Sequence, residues 1–69
     1  MGFKARKRDW IIWLKNNKDS QDDEPVRVSA NTAQEAEEQV SSWLHRFTVG
    51  GVYTPADFHR QYPGWRGLV

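Results

Sequence analysis

The sequence predicts a small α+β domain: an antiparallel sheet, built from a β-hairpin with room for a short third strand, covered by one amphipathic helix, with a short second helix near the C-terminus. Three observations predict it. DWIIWLK (9–15) is rich in aromatic and β-branched residues, PVRVSA (25–30) alternates apolar and polar positions, and NTAQEAEEQV (31–40) opens with a helix-capping signature. The 69 residues allow one domain, 1–69, with the order β-β-α-(β)-α over 9–69.

The first eight residues, MGFKARKR, are polar and basic without a usable period, and read as a flexible arm. In the strand that follows, Trp10, Ile12 and Leu14 share one face while Ile11 and Trp13 share the other. Both faces are apolar, which predicts a central strand covered on both sides. NNKDSQDDE (16–24) has no apolar residue and reads as a long mobile hairpin loop. Pro25 suits the start of the next strand, where Val26, Val28 and Ala30 face one way and Arg27 and Ser29 the other.

Thr32-Ala33-Gln34-Glu35 is a capping box. Behind it Ala33, Ala36, Val40, Trp43, Leu44 and Phe47 recur at helical spacing, which predicts a helix from about 32 to 47 with His45 and Arg46 in its last turn. Gly50-Gly51 reads as the break after it, and Val49 or Val52-Tyr53 as the third strand. Thr54-Pro55-Ala56-Asp57 starts a second helix, about 55 to 61, with Phe58 and Tyr62 facing inward. Trp65, Leu68 and Val69 are expected to pack back on the sheet.

Composition excludes several function classes. With no cysteine there is no disulfide framework, thiolate zinc site or cysteine nucleophile. The length excludes a full dinucleotide-binding fold or a β/α barrel. The apolar run Trp10–Leu14 is too short for a secretory core or a membrane span, so a cytoplasmic location is expected. His45, His59, Asp57 and Glu35 have no recognised catalytic or metal-ligand spacing; Asp57 and His59, two apart on a helix, diverge. The expectation is a protein that binds without catalysing, with no cofactor and no metal.

The net charge of +1 conceals segregation: residues 1–18 carry six bases and one acid, 19–38 seven acids and one base, 39–69 three bases and one acid. Asp22, Asp23 and Glu24 in the hairpin loop, with Glu35, Glu37 and Glu38 at the helix start, form the candidate acidic contact strip. Solvation of the loop and matching of the helix dipole also account for these acids. Aromatic anchoring is expected from an exposed tryptophan, with Trp13 and Trp65 the leading candidates. The alternative is nucleic-acid binding through Lys4, Arg6, Lys7 and Arg8, with Trp10 and Trp13 as stacking platforms. A third reading, suggested by the small size, is a structural component that folds within an assembly.

Trp10 to Trp43 runs through a strand, an acidic linker, PVRVSA and NTAQEAEEQVSSW, with Val26, Val28, Ala30, Thr32, Glu35 and Ala36 as the matching elements. This layout resembles the small podophage-type inhibitors of bacterial RNA polymerase, which are compact sheet-plus-helix domains with an acidic surface and no enzymatic activity. The resemblance covers about half the chain. The C-terminal part departs from it: the family continues with an arginine-bearing strand, whereas here a Pro-started helix follows and Arg60 and Arg66 stand in another context. It implies a phage- or mobile-element-encoded modulator or inhibitor of a larger, nucleic-acid-handling host protein, and transfers no site residue.

Overall fold

The computed structural model describes residues 7–69. Strand β1 (Arg8–Asn16) lies in the middle of a three-stranded sheet, flanked by β2 (Glu24–Ala30) and β3 (Phe47–Tyr53), and is antiparallel to both. The flanking strands are therefore parallel to each other. The chain passes from one to the other through helix α1 (Ala33–Gln39), which covers one face of the sheet. Helix α2 (Pro55–Gln61) follows β3 and covers the opposite face. The expected α+β architecture holds, with β1 central as its two apolar faces predicted. Arg8 and Asp9 are already paired with Ala30 and Ser29, so the sheet begins inside the predicted basic arm.

The period of two along β1 creates two cores. Ile12 and Leu14 are fully buried with Ala30, Ala36 and Val40, and Trp10, Val26, Val28, Phe47, Val49 and Val52 pack around them. Ile11 is fully buried on the other face, as is Phe58 of α2. Trp13 shares that face and stacks on Tyr62, ring centres 5.4 Å apart and nearly parallel, with Trp65 edge-on at 6.1 Å. Each fully buried side chain of this size contributes about 1.5–3 kcal/mol relative to exposure. Trp65 thus packs back as expected, whereas Leu68 stays 73% exposed.

The glycine pair lies inside β3, not in a break before it. Trp13 pairs with Gly51 and Leu14 with Val49, leaving Gly50 as the extra residue of a β-bulge. The bulge resets the alternation, so that Val49 and Val52 both reach the α1 face while Tyr53 reaches the other. It also needs missing side chains. A Cβ on Gly50 would stand 2.9 Å from Trp13 Cδ1, and one on Gly51 2.6 Å from the Tyr53 hydroxyl.

The helix expected over 32–47 is much shorter. Thr32 accepts from the Glu35 N–H, and Glu35 reaches back to the Asn31 N–H, so the capping start is as predicted. Helix α1 ends at Gln39, a 3₁₀ turn spans Ser41–Trp43, and Phe47 begins β3 instead of extending the helix. Val40, Ser41 and Ser42 are weak helix formers. The chain must also reach the hairpin end of the sheet, where Phe47 pairs with Asn16 and the Asn17 N–H donates to the Arg46 carbonyl at 2.9 Å. His45 and Arg46 consequently sit in a turn rather than at a helix end.

The hairpin connection is more ordered than a long mobile loop. It contains a 3₁₀ turn, Ser20–Asp22. Asn16 Oδ1 accepts from the N–H groups of Lys18 and Asp19, Asp19 Oδ1 from Gln21, and Asp23 Oδ1 from Asn16 at 2.7 Å. Its asparagines and aspartates satisfy the turn's own backbone.

Candidate functional site

The acidic residues fall into two groups. Asp22, Asp23 and Glu24 lie at the hairpin end of the sheet, while Glu35 sits in the first turn of α1, which follows the other end of β2. Their separation along β2 is about 20 Å. Within the groups, Asp23 and Glu35 are occupied with backbone N–H groups of Asn16 and Asn31. Asp22, Glu24, Glu37 and Glu38 are exposed, and none of them forms an ion pair among the described residues.

The tryptophans divide differently from expectation. Trp13 and Trp65 are half-buried against each other, and Trp13 also against Tyr62, in the aromatic layer on the α2 face. Trp10 is half-buried on the opposite face, and its Nε1–H donates to the Ala30 carbonyl at 3.0 Å. Trp10 and Trp13 therefore cannot form one stacking platform. Lys4 and Arg6 lie outside the described residues. Lys7 is exposed, and the Arg8 guanidinium lies over the Trp10 ring, 5.8 Å from its centre.

The exposed tryptophan is Trp43, at 44%, beside Leu44 at 42%. Helical spacing had placed both in the core, three and four residues after Val40. Because α1 stops at Gln39, the turn carries them to the rim of the sheet face instead. The sequence signal for this was local: two serines after Val40, then the β-favouring run Phe47-Thr48-Val49.

Where α1 leaves the hairpin end of its face uncovered, a groove of about 280 Å³ remains, lined by Glu24, Val26, Trp43, His45, Arg46 and Phe47. His45 and Arg46 also line an adjoining cavity of about 410 Å³ with Asn16, Asn17 and Lys18. Glu24 and Val26 reach the groove because alternate residues of β2 face the α1 side. An aromatic side chain, an apolar floor, an anionic rim and a cationic rim thus meet at one end of the molecule.

The histidines are held locally and apart. His45 Nδ1 lies 3.0 Å from the Ser42 carbonyl and His59 Nε2 2.9 Å from the Val69 carbonyl, so each of these nitrogens carries the proton. Among the described residues no three His, Asp or Glu side chains converge as metal ligands. Under α2, hydrogen bonding to Tyr62, reinforced by burial, holds the Tyr53 phenol above its ordinary value of 10.0. That shift belongs to packing of the aromatic layer. No helix among the described residues is long and apolar enough to cross a membrane. No known protein family, no curated protein and no solved structure matches this chain.

Proposed function

We propose that this chain is a small protein-binding module that works without catalysis, and that it docks through the hairpin end of its sheet. The observation that carries the reading is the exposure of Trp43 at the apolar groove of Val26 and Phe47. Tryptophan at the centre of an apolar patch is a typical binding anchor. Asp22 and Glu24 add negative charge alongside it, which selects partners by complementarity and speeds encounter. Trp43 replaces Trp13 and Trp65 as the anchor, because the latter pair is occupied in the aromatic layer. Glu37 and Glu38 belong to a separate exposed helix surface.

The finer reading is a cytoplasmic, phage- or mobile-element-encoded inhibitor of a larger nucleic-acid-handling protein. It is supported by the charge segregation and by the layout shared with small polymerase inhibitors. The test is affinity capture from bacterial lysate, with and without nuclease, using wild type and Trp43→Ser. A stoichiometric protein that survives nuclease and is lost with Trp43→Ser is the expected result. Retention of nucleic acid alone would move the function to Lys4, Arg6, Lys7 and Arg8. An empty capture with concentration-dependent melting would instead identify a self-assembling structural component.

A further inference from the structure

The groove beside Trp43 is polarised. Glu24 stands at one side of its apolar floor, and Arg46 with His45 at the other. Behind Arg46 the adjoining cavity adds Lys18. The sheet sets the distance between the sides. Glu24 pairs with Leu14, and Leu14 pairs on its other edge with Val49, so β2 and β3 stand two strand spacings apart, about 10 Å. An extended chain covers that distance in about three residues.

Among the described residues these charges are not paired. The ion pairs among the described residues are Asp9–Arg27 and Asp57–Arg60, neither of which involves Glu24, Arg46 or Lys18. Of the acids close to Lys18 in sequence, Asp19 accepts from the Gln21 N–H and Asp23 from the Asn16 N–H, and Asp22 forms no ion pair among the described residues. An open groove is left with an anionic side, an apolar floor and a cationic side.

Resting on the protein-binding reading above, we infer that the groove takes an extended segment of a partner protein in which a large apolar side chain is flanked by an acidic residue on one side and a basic residue on the other. The apolar side chain enters between Trp43 and Phe47. The acidic residue meets Arg46 and Lys18, and the basic residue meets Glu24. The apolar anchor supplies affinity, while the charges set the direction in which the segment lies. A nucleic-acid strand suits the groove less well, because Glu24 would repel phosphate from one side.

The experiment is selection of random twelve-residue peptides, displayed on phage, against the immobilised full chain. It is run in parallel on the charge exchange Glu24→Lys/Arg46→Glu, on Trp43→Ser, and on Glu24→Gln and Arg46→Gln singly. Wild type should enrich an acid–apolar–base motif in one chain direction. The charge exchange should enrich the motif with its charges in reverse order, and Trp43→Ser should enrich nothing. A synthetic wild-type peptide should bind the exchanged protein about tenfold or more weakly. Glu24→Gln preserves size, Arg46→Gln replaces the guanidinium with a neutral polar side chain, and each should lose selection for one charge only. An enriched motif without the charged flanks, the same motif on wild type and exchange, or no enrichment on wild type would overturn the inference. A lysate partner that Trp43→Ser releases and the charge exchange keeps would overturn it too, while leaving protein binding at this site intact.

Discussion

On one face of the sheet Trp13 stacks on Tyr62, with Phe58 fully buried beside them and Trp65 edge-on. On the other face Ile12, Leu14, Ala36 and Val40 form an aliphatic core under a helix that stops short of the hairpin end. Both helices span seven residues. What differs is the side chains they deliver. Helix α2 and the turn after it bring three rings to the sheet, each able to cover about 150–250 Å². Helix α1 brings an alanine, with a valine at its cap, and leaves the last part of its face to a 3₁₀ turn. The aromatic layer packs the middle of its face and leaves an open groove only at the edge, beside Arg27, His59 and Leu68, whereas the aliphatic face keeps its groove at the hairpin end, where α1 stops. The groove beside Trp43 arises where a helix ends early.

The contrast can be broken most strongly at Phe58. Truncation of Phe58→Ala should cost about 3–5 kcal/mol in a urea melt, because the site is sealed from water and cannot refill. A loss below about 1 kcal/mol would mean that the aromatic layer is not what packs this face. Gly51→Val comes next, at about 1–3 kcal/mol, since its Cβ would collide with the Tyr53 ring and hydroxyl. The companion Tyr53→Ala removes the obstructing ring, so in a double-mutant cycle the penalty of Gly51→Val should shrink.

On the aliphatic side, Thr32→Ala should cost about 1 kcal/mol by removing the acceptor for the Glu35 N–H. A smaller effect separates the faces by pH. The Tyr53 phenol is held above 10.0 in the folded chain, so ionisation favours the unfolded state first. Stability from this group is complete below pH 10 and is lost as pH rises through the folded value. Tyr53→Phe should flatten the decline in melting temperature above pH 10, whereas Trp43→Ser should leave it unchanged.

Much of this contrast was legible in residue patterns. Alternation along DWIIWLK identified a central strand with two apolar faces, and Thr54-Pro55 marked the start of α2. The capping box located the start of α1. Its end was not legible by periodicity, because Val40, Trp43, Leu44 and Phe47 keep helical spacing while the chain has already turned. Competition from the sheet decides there: Phe47–Tyr53 gains a ladder against β1 that a longer helix would forfeit. The glycine pair misled for a related reason, since a bulge and a break use the same residue type. Acidic residues were visible as a block, but which of them cap backbone N–H groups depends on turn geometry. Exposure fell on Trp43 and Leu44, residues whose pattern said core, because an apolar residue at the correct period is buried only if the helix continues beneath it.

The most direct test of the account measures melting temperature and partner capture side by side for Trp43→Ser. The account predicts a melt within about 0.5 kcal/mol of wild type, as for an exposed side chain, together with loss of the nuclease-resistant protein partner. Capture unchanged in the variant would contradict it, and a melt that collapses along with capture would contradict it by returning Trp43 to the core.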